Sequence, residues 1–379
     1  MATPFTYLAF FLWLCFPPSE VLAEPLTPKL ASLPERWPAC FRPSEESKIA
    51  GEDDVASIRS SDHQRRAVTT ISFLIGQNEG VNYIAERFPS LRNKVLKANL
   101  DFDARFGGSS RELIKIVQRD WPKGIEEIDR QVAAVIKPNI DDAYSSEDAA
   151  TRFCEELAER AKGDLPVVVF DTLSEYDPEF VRWPELEIVR GHKKTFESDS
   201  GEKVKGLRLA IDYPSSWQTN ESNRPLTVVT LSNRRLTNEV VVLQVTDLPE
   251  INGIEGIDLE KAFLEGIADG LSFQRSSISP VMHASCRVSI LGGRIALWHD
   301  ISQSSSTPHG DIAMRQIMFS TIYDRKLVQV IFGVGVMKGQ MSQEDVANEL
   351  RRLMLKYGPL FGQMMTSFDI RNRWPSKQR

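Results

Sequence analysis

The chain has 379 residues, the length of two ordinary domains, and its 41% hydrophobic and 26% charged content is that of a protein that buries cores. Acidic residues outnumber basic ones, 52 to 46, for a net charge of −6; this argues against general nucleic-acid affinity, which needs a surplus of Lys and Arg to displace counterions. With 5 His and 4 Cys, neither a metal-rich protein nor a dense disulfide scaffold is expected.

The first element is an apolar run from Phe5 to Phe16, followed by Pro17-Pro18-Ser19-Glu20 and then Val21-Leu22-Ala23. This is the layout of a secretory signal, residues 1–23, with small residues at −3 and −1 of a cut after Ala23. The run is about 12 residues long, short of the roughly 20 that span a bilayer. No Lys or Arg precedes it, so the amino terminus supplies the positive charge. No later stretch is long and apolar enough to cross a membrane, which predicts a periplasmic or secreted protein with no integral segment after signal removal. The mature chain loses Glu20 and Cys15, so its net charge becomes −5 and it keeps Cys40, Cys154 and Cys286. Three is odd, so at most one internal bridge forms, and Cys40 with Cys154 in the N-terminal half is the candidate pair.

Residues 24–62, rich in Pro, Ser and acidic side chains, read as an extended lead-in. Residues 63–162 read as a helical domain. Val68, Ile71, Phe73 and Ile75, then Ile84, Phe88, Leu91, Val95 and Leu96, recur mostly at helical steps. Gly107-Gly108 reads as a turn, and Ser109-Ser110-Arg111-Glu112 as the start of a helix that Trp121-Pro122 stops. The next stripe, Ile125 to Ile136, ends at Pro138, and Ser145-Ser146-Glu147-Asp148 caps a last helix carrying Phe153, Leu157 and Ala161. Residues 163–184 read as a linker in which Val167-Val168-Val169-Phe170 forms an edge strand.

Residues 185–372 have β texture. Strands are predicted at 193–196, 207–213, 226–231, 239–246, 287–291, 294–301, 314–323 and 326–334. Gly292-Gly293 and Asp324-Arg325 sit where two hairpins turn. Two helices interrupt them. One carries Leu259, Phe263, Ile267 and Leu271; the other is capped by Ser342, carries Val346, Leu350, Leu353 and Tyr357, and is broken by Gly358-Pro359. The order predicts an α+β protein: an N-terminal helical bundle followed by an antiparallel sheet flanked by helices.

The β-rich half carries an ordered set of motifs. Leu207 to Trp217 runs as a strand, Tyr213-Pro214, two serines and Trp217; Gly292-Gly293 leads into Trp298; Ile317 to Phe332 makes a late hairpin; and the last helix closes in Met365-Thr-Ser-Phe368. In this order they resemble the PsbP/Mog/DcrB-like superfamily, over about half of the chain. The resemblance implies an antiparallel sheet sandwiched by helices and, in members of the superfamily, mostly non-enzymatic work as photosystem accessory subunits, partner-protein binders, envelope proteins and chaperones of exported effectors. Tyr213, Trp217, Trp298, Phe361, Met364 and Met365 are the candidates for a soft apolar groove that takes a segment of a protein partner.

Catalytic motifs are not found: no Gly-x-Ser-x-Gly, no His-Glu-x-x-His, and no third glycine after Gly333-Val-Gly335. Adjacent acid pairs such as Glu126-Glu127 and Asp141-Asp142 read as solvated helix faces, because nothing sets a carboxylate separation. His283, Cys286, His299 and His309 fall close together in sequence and form the alternative, a metal-binding protein or metal-dependent hydrolase. Against it, side chains alternate along a strand, so His283 and Cys286 point to opposite faces. The leading expectation is a secreted or periplasmic, non-catalytic binding or accessory protein without a cofactor, acting on another envelope or exported protein.

Overall fold

The computed structural model describes residues 61–220, 226–234, 238–248, 281–291, 294–307 and 310–372, with backbone alone for 281–295 and 305–307. These fall into two compact units: a helical one ending at His192, to which Arg234 also belongs, and a β-rich one formed by the rest.

The helical unit is built from α1 (Ser61–Arg87), α2 (Arg92–Asp120), α3 (Gly124–Ala143), α4 (Glu147–Lys162), α5 (Val167–Glu175), α6 (Pro178–Arg182) and α7 (Glu185–Val189). Two apolar clusters hold it. One joins Val81, Ile84, Val95, Phe102 and Phe106 to Phe153, Leu157 and Leu173; the other joins Ala67, Ile71, Leu113, Val117 and Ile128. Ser146 caps α4, its hydroxyl accepting from the Ala149 N–H, and Gly163 ends α4 with φ of 106°, a left-handed turn that favours glycine.

Five sequence expectations are corrected here. Val167–Phe170 is helix, not edge strand, and residues 163–184 belong to the helical unit. Three valines favour a strand in isolation, but Val169 and Leu173 bury a helical stripe against the core. Gly107-Gly108 does not turn the chain; α2 runs straight through it, and a Cβ at Gly107 would meet the Asp103 carboxylate at 2.1 Å. Pro138 lies inside α3, and Pro359 inside the last helix. Each proline removes one backbone donor, and at Pro359 the burial of Tyr357, Leu360, Phe361 and Met364 offsets that loss.

The β-rich unit contains β1 (Lys193–Glu197), β2 (Leu209–Pro214), β3 (Trp217–Asn220), β4 (Thr227–Asn233), β5 (Val240–Asp247), β6 (Val281–Leu291), β7 (Arg294–Thr307), β8 (Gly310–Tyr323), β9 (Lys326–Met337), α8 (Gln343–Ser367) and β10 (Asp369–Ile370). Seven strands form one antiparallel sheet in the order β3-β4-β5-β9-β8-β7-β6, and β1-β2-β10 form a second, smaller one. The architecture is therefore α+β, with helices first and antiparallel sheets after. Register places Val241, Phe332 and Ile317 side by side on one face, and Leu243, Val330, Phe319 and Trp298 in the next row of that face. This face meets α8, where the Phe332 ring lies 5.0 Å from Phe361 and 5.9 Å from Phe319. The other face carries Val240, Val242, Met314, Met318 and Ile331 as an apolar cluster. The residues of the predicted Gly292-Gly293 turn, and the helix predicted around Leu259 to Leu271, lie outside the described residues.

The second hairpin turns at Asp324-Arg325, where both residues have positive φ, 48° and 58°. A two-residue loop of this kind matches the twist of the strands, but an L side chain there crowds its own backbone. Arg325→Gly is therefore expected to stabilise the β-rich unit by about 0.5–1 kcal/mol. A urea midpoint equal to or below that of the parent chain would contradict this.

Candidate functional site

The most concentrated ionisable chemistry among the described residues lies inside the helical unit, along α5 and the residues just after it. Helical spacing puts Asp171 and Glu175 one turn apart, and Ser174 beside them. Apolar neighbours on the same short helix bury it, so these polar groups go in as well and are matched from other helices.

Glu175, 1% exposed, accepts a hydrogen bond from Arg66 of α1 at 2.7 Å. His63, three residues before Arg66 on the same helix, has Nε2 at 3.6 Å from the other Glu175 oxygen. The same Nε2 is 2.6 Å from the carbonyl of Arg234; a carbonyl only accepts, so Nε2 carries a proton. Arg234 in turn sends its guanidinium to Asp171 at 3.0 Å. The result is a buried network of two guanidiniums, two carboxylates and an imidazole. Such a network adds little net stability over an apolar core, but losing one partner strands the others.

A second group surrounds His192. Its ring stacks on Phe170 at 4.8 Å and meets Phe180 edge-on at 5.1 Å. Arg105 lies 3.1 Å from Nε2 and the Ser174 hydroxyl 3.2 Å from Nδ1. A guanidinium has donors only, so Nε2 is the bare nitrogen and Nδ1–H donates to Ser174. This is the reverse of a serine nucleophile, in which the imidazole lone pair faces the hydroxyl. Burial, then the Arg105 charge, holds His192 well below the usual histidine range, at about 4. Asp177 opposes that shift, and Arg190 adds to it. Asp177 also accepts from Ser109 at 3.0 Å and caps α6 through the Glu179 and Phe180 N–H groups.

The residues singled out from sequence lie elsewhere. Tyr213, Trp217, Trp298, Phe361, Met364 and Met365 are all 7% exposed or less, so they are interior and do not wall an open groove. The apolar character that suggested a groove is that of a core. Cys154 is buried in the helical unit as a thiol, and burial pushes its pKa up. Its candidate partner Cys40 lies outside the described residues.

His299 is buried on the sheet face away from α8, opposite Met318, and burial lowers its pKa. The register sets it opposite Ser285, whereas Cys286 sits opposite Trp298, so His299 and Cys286 take positions of opposite parity. His283 falls at the irregularity between Met282 and Ala284, and His309 lies outside the described residues. Asp300, next to His299, is held by Arg315 through two hydrogen bonds of 2.9 and 2.6 Å. Among the described residues no group of three or more His, Cys, Asp or Glu is arranged to hold a metal ion. No helix among them is long and apolar enough to cross a membrane.

Sequence reasoning missed both polar groups of the helical unit. The one local signal was a pair of acids at i and i+4, Asp171 and Glu175, in a nine-residue stretch with five apolar residues, a pattern that asks for buried partners.

No family model matches the chain, and no curated protein matches it either. Solved structures do match. The cyanobacterial PsbP protein, CyanoP, from Synechocystis sp. PCC 6803 is 9% identical, over 47% of this chain and 92% of its own, with a TM-score of 0.27. The Ran-binding protein Mog1p of Saccharomyces cerevisiae is 12% identical, over 47% and 95%, with a TM-score of 0.29. LpqN, involved in cell envelope biogenesis of Mycobacterium tuberculosis, is 12% identical, over 48% and 95%, with a TM-score of 0.25. Each of these matches spans about half of this chain.

Proposed function

We propose that this chain is a secreted or periplasmic accessory protein that binds another envelope or exported protein and carries out no catalysis of its own. The observation that carries this reading is how the helical unit distributes its side chains. Its buried ionisable groups are turned onto one another, while large apolar side chains stand in solvent. Leu96 and Leu100, one turn apart on α2, are 40% and 68% exposed, and Trp183 between α6 and α7 is 43% exposed. Aliphatic pairs at helical spacing and an accessible tryptophan are groups that a protein partner buries with gain. The residues 1–23 support export, since their pattern is that of a cleaved leader.

The test is capture from an envelope extract of the source cells, with the mature chain as bait. The control is the same chain carrying Leu96→Glu, Leu100→Glu and Trp183→Glu. The expected result is one protein enriched by the parent and reduced about tenfold or more with the control, a change equivalent to about 1.4 kcal/mol in binding. Equal recovery from both baits, or none from either, would sink the reading.

A further inference from the structure

The segment Asp177–His192 closes the helical unit and is held at its end by one ring. His192 is buried between Phe170 of α5 and Phe180 of α6, with Ser174 on one nitrogen and Arg105 of α2 on the other. Its own N–H bonds the Glu187 carbonyl at 2.8 Å, which ties the ring to the end of α7. Arg105 cannot turn away freely: its other arm donates to the Ala161 carbonyl at 3.3 Å, and its charge lies over the Phe106 ring.

We propose that His192 is an acid-operated latch, and that its protonation frees the Asp177–His192 segment from the helices beneath it. The reason is steric and electrostatic at one atom. The second proton must go onto Nε2, where it would meet a guanidinium N–H with no lone pair between them. Of the charged groups facing the ring, Arg105 from α2 and Arg190 from the end of α7 repel the imidazolium, and Asp177 attracts it. Asp177 is already engaged by Ser109 and by the first turn of α6. The balance favours the neutral ring, in keeping with its pKa of about 4.

The sign follows. The folded segment holds His192 neutral, while the released segment takes up a proton near the ordinary value of about 6.5, so the open form binds more protons between these limits. Closure is fully stable above about 6.5 and weakens as the pH falls toward about 4. The free-energy gap corresponds to roughly a 300-fold rise in the opening constant at the acid limit. The segment carries Trp183 and Val189, 43% and 61% exposed, so acid would reshape an apolar part of the surface. The inference rests on the ring's surroundings alone and holds whether or not a partner binds there.

The experiment uses the mature full-length chain. Histidine ring signals are followed by NMR from pH 7.5 to 3.5; with 5 His in the sequence, assignment by substitution is direct. Amide exchange of residues 177–192 is measured at several pH values and corrected for intrinsic rates. The latch predicts a His192 midpoint near 4, with protection of this segment falling progressively below about pH 6.5 and ahead of the α1–α4 core. His192→Phe, which keeps an aromatic ring between Phe170 and Phe180 but cannot take a proton, should retain protection in acid. Arg105→Leu should raise the His192 midpoint by about one. A His192 midpoint near 6.5, a segment whose protection does not change with pH, or equal acid loss in the parent and in His192→Phe would overturn the proposal. The parent titration decides on its own if His192→Phe fails to fold.

Discussion

Glu175→Ala is expected to cost the helical unit about 3–5 kcal/mol, the largest effect of any single polar substitution in it. Glu175 is 1% exposed and Arg66 9%, so removing the carboxylate leaves a guanidinium without its counter-charge in a place water does not reach. The His63 imidazole loses the carboxylate 3.6 Å away at the same time. Replacing both members of the pair, Arg66→Met with Glu175→Leu, should recover most of the loss, because two apolar groups of similar size need no partner. Lys97 and Asp101, a pair exposed on α2, are the comparison: Asp101→Ala should change stability by no more than about 0.5 kcal/mol. Urea unfolding followed by helical circular dichroism would check all three. A Glu175→Ala cost below about 1 kcal/mol, or a double variant no better than the single, would show that the network is solvated after all.

Phe332→Ala is expected to destabilise the β-rich unit by about 3–5 kcal/mol. Phe332 sits on β9 at the centre of the sheet, fully buried, and its ring joins Phe319 of β8 to Phe361 of α8. Truncation leaves a cavity within the aromatic cluster that sheet and helix share, and rings on both sides are too fixed by their own neighbours to refill it. Phe332→Leu keeps most of the volume and should cost about 1.5 kcal/mol or less. Denaturant titration with Trp217 and Trp298 as reporters would measure the difference; equal losses for the two variants would mean that volume is not what counts at this site.

Both predictions bear on how much was legible beforehand. The Asp324-Arg325 turn and the apolar run after it put Phe332 on a strand of a late hairpin, and the structure has it there. The caps at Ser146 and Ser342 were equally readable, since a hydroxyl three residues before an exposed helix N–H is a purely local device. At Val167–Phe170 the β-branched residues favour a strand when nothing else is known, and the burial that makes them helical comes from α1 and α2. The buried groove candidates carry a related ambiguity. Apolar composition is the same in a core and in an open binding face, and burial alone separates them.

The sequence by itself determined that helices precede strands and that adjacent strands pair antiparallel, but not the short helices after Lys162. Order and pairing follow from hydrophobic period, turn residues and caps, which act within a few positions. Only the tertiary structure decided which polar residues matter. Arg66 and Glu175 are 109 positions apart, Arg105 and His192 are 87 apart, and no local pattern announces either pairing. Their chemistry arises from taking charges out of water together, and the protonation state of His192 is set first by burial and then by the Arg105 guanidinium, both of which exist only once α2 and the end of α7 have packed.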